Sequence, residues 1–310
     1  ALPIFFRGII MDIRKYEVLL KVIDKGSFAA AANELGYTPS GVSQMMNALE
    51  EECGVNLLQR SNRGVQLTKQ GQAIYPYILK TINMKEKLEE KFEEVKGYNA
   101  GKLRIVGFSS TTCSLILPIV QTFRRLHPKV EVEILEENSP KIMADWIQSE
   151  VADIAITTRS PYFDCEWINL ERHPYVAVFS KNHPLAIQDK ITAEQLRNEE
   201  VLMYKSAHGY DFAAGKYLNQ ENIKTVSNFT SNSNYIMLHM IEETNSICIV
   251  TKMLWDFNSP MHPGLVARPL VPALMTDIIL AVKSFNDCSN AANAFIKCTK
   301  MYIKDKKEKN

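Results

Sequence analysis

The first apolar positions of the chain recur at the spacing of a helix. They lie three and four residues apart: Tyr16, Leu19, Leu20 and Ile23. This spacing predicts an amphipathic helix, which Gly26 would end. Ser27 can cap a second, alanine-rich helix. The apolar face of that helix is Phe28, Ala31, Ala32 and Leu35.

A third helix is predicted from Thr38, a good N-cap, and Pro39, a favoured first helical residue. Its inward stripe is Val42, Met46 and Leu49. Its outward residues are small or hydrogen-bonding: Ser40, Gly41, Ser43, Gln44 and Asn47. Small residues let a helix approach a groove closely, and Gln and Asn can read base edges. The pattern predicts a helix-turn-helix that binds the DNA major groove, with an ordinary three-helix bundle as the alternative.

Residues 57–68 predict two short strands around a polar turn at Gly64. Together they would form a wing beside the helices. Arg60 and Arg63 lie beside or within this turn, where guanidinium groups can reach phosphates or the minor groove. Thr68 can cap the helix that follows. The wing favours DNA binding over an ordinary bundle.

One long helix is predicted between Gly71 and Lys96. Its apolar stripe follows a seven-residue repeat: Ile74, Ile78, Leu88, Phe92 and Val95. A long helix with a single apolar stripe needs a partner. That partner is either a second subunit or another part of the same chain. Residues 97–101 predict a hinge.

Strand and helix patterns alternate after the hinge and predict a parallel α/β sheet. The first strands are expected at 102–106, 130–135 and 152–158, with a helix at 115–126. Ligands of such sheets gather beyond the carboxyl ends of the strands. Hydroxyl side chains are concentrated there: Ser109, Ser110, Thr111, Thr112, Ser139, Thr157 and Thr158. Because hydroxyls and helix N–H groups bind anions, we expect a ligand site here, with simple helix capping as the alternative.

Later strands and helices continue the same pattern. Strands are expected at 175–180, 201–204, 225–229, 247–250, 265–270 and 277–282, and helices at 234–243 and 291–302. Residues that follow these strands add Ser206, His208 and Ser231 to the candidate ligand-binding set. Lys205 and His208 favour an anionic ligand, and a solvated loop position is the alternative for Lys205.

The composition is that of an average globular protein. The chain has 310 residues, 46% hydrophobic and 23% charged side chains, and a net charge of +1. These values exclude a disordered, collagenous or mucin-like chain, and they argue against binding nucleic acid through bulk positive charge. Residues 11–70 hold seven basic and seven acidic side chains. DNA recognition must therefore come from local pattern, with the acidic run 50–52 directed away from the DNA.

Compartment signals point to the cytoplasm. No apolar run of about 18 residues predicts a membrane span. Residues 1–10 make a poor signal peptide, and we interpret them as an expression remnant or an upstream extension before a native start at Met11. Six scattered cysteines without a C-x-x-C pair predict buried, reduced thiols.

No motif predicts catalysis. The six histidines show no ligand spacing, and no G-x-S-x-G, P-loop or G-x-G-x-x-G motif is present. We therefore expect neither enzymatic activity, nor a cofactor, nor a metal site. One rival is a solute-binding protein with an N-terminal fusion, which would need an export signal. A second rival is a thiol sensor built on Cys113 at a helix N-terminus, for which a buried structural cysteine is the favoured alternative.

The first part of the chain resembles the winged helix-turn-helix of LysR-type transcriptional regulators. The matches keep the order and spacing of that family: Gly26-Ser27-Phe28, Ala31-Ala32, Leu35, Thr38-Pro39-Ser40, Val42-Ser43, Leu49-Glu50, Gly54-Val55, Leu57-Leu58, Arg60, Leu67-Thr68 and Gly71. The resemblance implies these DNA-binding residues: Ser27, Thr38, Pro39, Ser40, Ser43, Gln44, Asn47, Arg60 and Arg63. Many members have Gln at the position of Pro39 and Arg or Lys at that of Gln44, so the base contacts here would differ.

The rest of the chain is similar to the effector domain of the same family. The matches are Leu117-Pro118, Phe123, Pro128, Asp153-Ile154-Ala155, His183-Pro184-Leu185 and Ile247 to Val250. The implied architecture is an α-rich winged helix-turn-helix at 11–70, a linker helix at 71–97 that pairs between subunits, and an α/β effector domain at 102–303. That domain would have two lobes, like periplasmic binding proteins. Lobe one would comprise 102–172 and 271–303, and lobe two 173–270.

The implied function is sequence-specific transcription regulation. A dimer or tetramer would bind an inverted-repeat operator in double-stranded DNA and a small-molecule effector in the cleft between the lobes. RNA polymerase would be a further partner. One departure is the segment 242–246, which replaces a glycine-rich turn and is expected to narrow the cleft mouth or change the effector.

Overall fold

The structure is a computed structural model that describes residues 12–61, 64–95, 101–206, 209–210, 212–224, 229 and 231–309. The chain divides into two compact units, Ala1–Val95 and Lys96–Asn310, and each is described by itself. Across the described residues, no helix is both long and apolar enough to cross a membrane.

Within its described residues, the first unit consists of four helices and a hairpin. In chain order they are α1 (Ile13–Lys25), α2 (Phe28–Leu35), α3 (Pro39–Cys53), β1 (Leu58–Ser61), β2 (Gly64–Leu67) and α4 (Lys69–Val95). The Ser27 and Thr38 side chains cap α2 and α3 by accepting backbone N–H hydrogen bonds. Gly26 and Gly36 follow α1 and α2 with φ of 60° and 71°, a left-handed conformation that favours glycine. The predicted helix-turn-helix and hairpin are confirmed.

One apolar core holds these elements together. The inward stripe of α3 contributes Val42, Met46 and Leu49, which are at most 2% exposed. Val22 of α1 and Leu57, which precedes the hairpin, pack into the same cluster. Burying side chains of this size stabilises the unit by about 1.5–3 kcal/mol each. The apolar face of α3 is therefore committed to the core, and its opposite face is left for contacts outside the unit.

Only the first half of α4 packs on this core. Ile78 and Ile82 are buried against it, and Lys85 forms an ion pair with α1 at 2.8 Å. Further along the helix, Leu88 is 55% exposed and Phe92 is 57% exposed. The sequence left two partners open for this helix, a second subunit or another part of the same chain, and the two halves of the helix differ in this respect. Its first half packs on its own chain, and its second half presents apolar side chains to solvent.

The second unit begins with alternating strands and helices. They are β3 (Gly101–Gly107), α5 (Ser109–Thr111), a π-helical turn (Thr112–Ile116), α6 (Leu117–Leu126), β4 (Val130–Glu136), α7 (Pro140–Gln148) and β5 (Ile154–Thr158). Strand β3 pairs in parallel with β4 and β5, which confirms the predicted parallel pairing of these first three strands. The helix expected at 115–126 begins earlier, at Ser109, because the hydroxyl residues after β3 already take helical geometry.

The remaining elements complete the second unit. They are β6 (Glu166–Ser180), a 3-10 turn (Pro184–Ile187), β7 (Ile191–Thr192), α8 (Ala193–Leu196), β8 (Val201–Leu202), β9 (Lys205–Ser206), β10 (Gly209–Tyr210), α9 (Phe212–Gln220), α10 (Asn234–Glu243), β11 (Ile247–Thr251), α11 (Lys252–Asn258), a 3-10 turn (Ser259–Met261), β12 (Leu265–Val271), β13 (Met275–Val282), a 3-10 turn (Phe285–Asp287) and α12 (Asn290–Lys309). The strand expected at 201–204 is only two residues long. Of the strand expected at 225–229, only Phe229 lies within the described residues.

Strand β6 joins the two lobes. Among the described strands, the main sheet runs in the order β4-β3-β5-β13-β6-β11-β8. Residues 166–174 of β6 pair antiparallel with β13, whereas residues 175–180 pair antiparallel with β11 and β12. The complete sheet is therefore mixed, and the expectation that these later strands continue the parallel pattern is wrong. Separate apolar cores form around Phe123 and Phe295 on one side and around Phe179 and Leu196 on the other. The chain therefore passes from one core to the other within β6, which confirms a two-lobed α/β domain.

Candidate functional site

Helix α3 has one exposed face of short, uncharged side chains. The exposed residues of this face are Thr38, Pro39, Ser40, Gln44 and Asn47. Ser43 is half-buried on the same helix. The Thr38 hydroxyl accepts the N–H of Gly41 at 3.1 Å and lies 3.2 Å from the Ser40 hydroxyl. Two hydroxyls thus lie at the electropositive end of the helix, and the face has the chemistry needed to contact phosphates and base edges.

Ser27 begins the first helix of the motif. Its side-chain oxygen accepts the N–H of Ala30 at 3.4 Å, and the residue is half-buried. A hydroxyl that accepts one hydrogen bond in a cap can still donate another. The cap and a phosphate contact are therefore compatible, and the DNA contact of Ser27 stays a prediction.

The wing is attached to the turn between α1 and α2. The N–H of Val65 donates to the carbonyl oxygen of Gly26 at 2.8 Å. A Cβ on Gly64, whose φ is 106°, would lie 2.5 Å from that same oxygen, so this approach requires glycine. The backbone of Arg60 pairs with Val65 in the hairpin. The side chain of Arg60 and all of Arg63 lie outside the described residues, and their DNA contacts stay predictions.

The acidic run after the recognition face is partly used within the unit. The carboxylate of Glu50 accepts the N–H groups of Leu57 and Leu58. Glu52 forms an ion pair with Lys15 of α1. These carboxylates bind partners in the protein itself, which is consistent with their expected position away from DNA.

A cavity lies between the two lobes of the second unit and has a volume of about 100 Å³. The residues that line it follow the carboxyl ends of β3 and β5 in one lobe and belong to α10 and β11 in the other. They include Phe108, Ser110, Thr111, Ser139, Thr158, Arg159, Tyr175, Tyr204, Asn234, Ile249 and Thr276. The Tyr204 hydroxyl donates to the carbonyl oxygen of Asn138 at 3.1 Å. A hydrogen bond therefore spans the cleft.

Four of the predicted hydroxyl residues line this cavity: Ser110, Thr111, Ser139 and Thr158. Ser110, Thr111 and Ser139 are buried, and Thr158 is half-buried. Ser139 also caps α7 by accepting the N–H of Ile142 at 3.4 Å. Simple capping, the alternative to ligand contact, thus accounts for one of these hydroxyls.

Four other predicted hydroxyls do not reach the cavity wall. Ser109 donates to a carboxylate at the end of β4, and Ser231 bonds to the backbone of its own turn at 3.0 Å. The hydroxyls of Thr112 and Thr157 are buried without a hydrogen-bond partner among the described residues. Neighbouring side chains of a strand point to opposite faces, so Thr158 lines the cavity and Thr157 does not. The side chain of Ser206 and all of His208 lie outside the described residues.

Arg159 is a cavity residue that the sequence analysis missed. It directly follows β5, and its guanidinium carbon lies 4.3 Å from the centroid of the Trp167 ring. Its backbone N–H donates to the carbonyl oxygen of Asp277 at 2.9 Å. A guanidinium held in this way can bind a carboxylate or a phosphate through two parallel hydrogen bonds. Its signal in the sequence is a position one residue beyond the two threonines at the carboxyl end of β5.

The segment 242–246 does not line the described cavity, and its expected effect on the cleft mouth or on the effector stays a prediction. Glu242 ends α10, and its Oε2 lies 3.1 Å from Nδ1 of His262. That hydrogen bond lowers the pKa of Glu242. The Ser246 hydroxyl donates to Glu200 at 2.7 Å. Glu242 and Ser246 therefore bind partners within lobe two, and neither of them lines the cavity.

The cysteines are all free thiols, but they are not all buried. Cys113 is exposed in the π-helical turn, whereas Cys248 and Cys298 are buried. Cys53, Cys165 and Cys288 are half-buried. The expectation that Cys113 is a buried structural residue is therefore wrong. Its turn follows the short helix α5 and leaves this side chain exposed.

A winged helix-turn-helix followed by a two-lobed domain with a ligand cavity defines a class of protein, the ligand-responsive DNA-binding regulators. Two family models match the chain. Residues 13–72 match the bacterial regulatory helix-turn-helix protein, lysR family, and residues 96–302 match the LysR substrate binding domain. The chain therefore belongs to the LysR family of transcriptional regulators. It is a DNA-binding transcription regulator with an effector-binding domain, as the sequence predicted.

Curated relatives cover much of the chain. The chain is similar to the uncharacterized HTH-type transcriptional regulator YvbU of Bacillus subtilis (strain 168), with 28% identity over 291 residues, 94% of this chain and 98% of YvbU. It is also similar to the HTH-type transcriptional activator CmpR of Synechocystis sp. (strain ATCC 27184 / PCC 6803 / Kazusa), with 27% identity over 214 residues, 68% of this chain and 69% of CmpR.

Solved structures share the fold. CbnR, a LysR family transcriptional regulator, superposes with a TM-score of 0.69 at 16% identity and covers 94% of this chain and 99% of its own. CbnR complexed with its target DNA gives a TM-score of 0.68, also at 16% identity, with 94% and 99% covered. A full-length OxyR variant from Pseudomonas aeruginosa gives 0.67 at 20% identity, with 94% and 98% covered. At these identities the likeness establishes the fold alone.

Proposed function

We propose that this regulator is a cytoplasmic dimer or tetramer that binds an inverted-repeat operator and responds to a small molecule in its cavity. It acts by binding, without catalysis, and it contacts RNA polymerase. The proposed segments are the DNA-binding domain at 11–70, the linker helix at 71–97 and the effector domain at 102–303. Lobe one takes 102–172 and 271–303, and lobe two takes 173–270.

The observation that carries the DNA part is the exposed face of α3. Its residues are uncharged, they extend from the N-terminus to the middle of α3, and the opposite face of this helix is buried in the core. The proposed contacts are Ser27, Thr38, Pro39, Ser40, Ser43, Gln44 and Asn47, with Arg60 and Arg63 from the wing. Gln44 is exposed, and a glutamine amide can form two hydrogen bonds with the edge of an adenine base.

The test starts from DNA fragments that the full-length chain selects from a random pool. Gln44→Ala should weaken binding to the selected operator by about 1–3 kcal/mol, because one base contact is lost. In a scan of single-base operator variants, the preference should relax at one position in each half-site. Asn33→Ala removes an exposed amide from α2 and should leave the base preferences unchanged. An unaltered scan for Gln44→Ala would contradict the proposed reading face.

The dimer is supported by the second half of α4. Leu88 and Phe92 are more than half exposed and lie four residues apart on one helix face. Apolar side chains at this spacing are suited to pairing with a second helix of the same kind. Two subunits joined in this way would present two α3 helices to one face of the DNA, with half-sites about 10 base pairs or a multiple apart.

The effector part is supported by the cavity wall. Ser110, Thr111, Ser139 and Thr158 supply hydroxyls, and Arg159 supplies a positive charge. This set favours an anionic small molecule, such as a carboxylate or a phosphate ester. To act as a signal, the molecule must bind the two arrangements of the lobes with different affinities. The hydrogen bond between Tyr204 and Asn138 is one contact that such a change would alter.

One experiment addresses both the oligomer and the effector. The full chain is purified from its source and examined by native mass spectrometry, which measures the number of subunits and detects any retained metabolite. We expect a dimer or tetramer, with an anionic metabolite bound to part of the population. A monomer at micromolar concentration would contradict the pairing of α4. A retained neutral or cationic metabolite would contradict the role given to Arg159.

A further inference from the structure

Three side chains, one exposed, one half-buried and one buried, meet in lobe two. His239 and Glu242 lie three residues apart on α10 and share a helix face, and His262 follows the 3-10 turn Ser259–Met261. One nitrogen of each histidine and one carboxylate oxygen all lie within 4.8 Å of one another. Nδ1 of His262 is 3.1 Å from Oε2 of Glu242, and Nδ1 of His239 is 3.8 Å from the same oxygen.

We propose that His239, Glu242 and His262 form a binding site for a divalent transition-metal ion of the zinc class. The site lies outside the effector cavity, since none of the three residues lines it, and the inference does not depend on the proposed effector. No motif in the sequence predicted this metal site, because the third ligand is 20 residues from Glu242 along the chain.

The distances suit a metal with short bonds to nitrogen and oxygen. Zinc binds histidine nitrogen and carboxylate oxygen at about 2.0–2.2 Å, which puts neighbouring tetrahedral ligands about 3.4 Å apart. The two distances from Glu242, 3.1 and 3.8 Å, bracket that value. The two histidine nitrogens, at most 4.8 Å apart, must approach each other. His239 can supply this movement because its side chain is 48% exposed.

The other two ligands are held in place by their surroundings. The His262 side chain is fully buried, and its backbone is fixed by hydrogen bonds to Ser259 and from Leu265. The Glu242 carboxylate also accepts a backbone hydrogen bond from Gly264. A Cβ on Gly264 would lie 2.7 Å from Oε1 of Glu242, so the glycine leaves room for this carboxylate. Such prior positioning reduces the ordering that an ion must impose.

The donor atoms indicate which ions the site takes. Imidazole suits zinc, copper, nickel and iron, whereas magnesium and calcium prefer sets of oxygen ligands. Three protein ligands leave a fourth position for water. An ordinary hydrogen bond between Glu242 and His262 does not require His239, whose ring lies 4.8 Å from that of His262. The third ligand is therefore the feature that distinguishes a metal site from a simple histidine–carboxylate pair.

The experiment uses the full-length chain, stripped of metal with a chelator and titrated with Zn²⁺ against a chromophoric competitor. We expect one zinc ion per chain to bind at this site. His239→Ala and Glu242→Gln should each weaken binding by at least about 100-fold, since even partners of metal ligands affect affinity by about 10–100-fold. The matched control is His173→Ala, which removes a histidine paired with Glu171 at 2.7 Å and should bind zinc as the wild type does.

Two further readouts separate the site from the thiols and from misfolding. Bound Co²⁺ should show a tetrahedral visible spectrum without thiolate charge-transfer bands. Zn²⁺ should raise the melting temperature of the wild type and of His173→Ala, because an ion that binds only the folded state stabilises it. It should leave that of His239→Ala unchanged. Unchanged affinity in His239→Ala, a thiolate spectrum, or no stoichiometric binding would each overturn the proposal.

Discussion

The carboxylate of Glu50 accepts a hydrogen bond from the backbone N–H of Leu57 at 2.6 Å. The same oxygen accepts the N–H of Leu58 at 2.8 Å. Glu50 lies on α3, and Leu58 is the first residue of the wing strand β1. One side chain therefore ties the helix that carries the proposed reading face to the start of the wing.

Replacing Glu50 should destabilise the first unit. Glu50→Ala leaves two backbone N–H groups beside the buried Leu57 without their acceptor, which we expect to cost about 2–3 kcal/mol. Glu51→Ala removes an exposed neighbour and should change the free energy of unfolding by less than about 0.5 kcal/mol. The measurement is denaturant unfolding of the full chain, followed by circular dichroism at 222 nm. Equal effects of the two substitutions would show that the hydrogen bonds contribute nothing.

Thr157 and Thr158 provide a matched pair on one strand. The Thr157 hydroxyl is buried without a partner among the described residues, so Thr157→Val should raise the free energy of unfolding by about 1 kcal/mol. Thr158→Val removes a hydroxyl from the cavity wall and should lower the fraction of chains that retain a metabolite. Calorimetry and native mass spectrometry measure the two effects. A loss of metabolite in Thr157→Val but not in Thr158→Val would reverse the assignment of faces.

Acid should weaken the contact between β6 and α12. Glu171 lies 2.7 Å from Nε2 of His173 and pairs with Lys306. The hydrogen bond with His173, assisted by Lys306, lowers the pKa of Glu171 from 4.5 to about 2. Because the folded-state pKa is the lower one, the stabilisation is complete above about pH 4.5 and is lost as the pH falls toward 2. A shift of this size corresponds to about 3 kcal/mol.

The test compares wild type with Glu171→Gln by denaturant unfolding at pH 7 and at pH 3. The difference in the free energy of unfolding should be about 3 kcal/mol at pH 7 and smaller by about half at pH 3. Glu131→Gln, at an exposed carboxylate, should stay within about 0.5 kcal/mol of the wild type at both pH values. A difference for Glu171→Gln that is the same at pH 7 and pH 3 would rule out this linkage.

The thiols should differ widely in reactivity. Cys113 is exposed, whereas burial raises the pKa of Cys248 to about 12 and that of Cys165 to about 11. Because the thiolate is the reacting form, a maleimide at pH 7 should label Cys113 first and leave Cys248 unmodified. Peptide mapping identifies the labelled residue, and Cys113→Ser should remove the fast phase. Early labelling of Cys248 would mean that lobe two opens on the time scale of the reaction.

Much of the fold follows from local pattern. The caps at Ser27 and Thr38, the glycines that end α1 and α2, and the alternation of strands and helices after the hinge all lie where the sequence places them. These features depend on residues only a few positions apart, so a periodic pattern is enough to predict them. The start of the helix at Ser109 was missed because hydroxyl residues are typical of both caps and helix first turns.

The sequence by itself determined the helix-turn-helix, the wing, the parallel strands and the family. Only the tertiary structure decided that Thr158 and Arg159, and not Thr157, line the cavity, and that Glu50 holds the wing strand. It also brought His262 to the face of α10 that carries His239 and Glu242. The physical reason is the same in each case. Periodicity reports which residues are buried, but the direction of a side chain and its partner across 20 or more residues depend on how the elements pack.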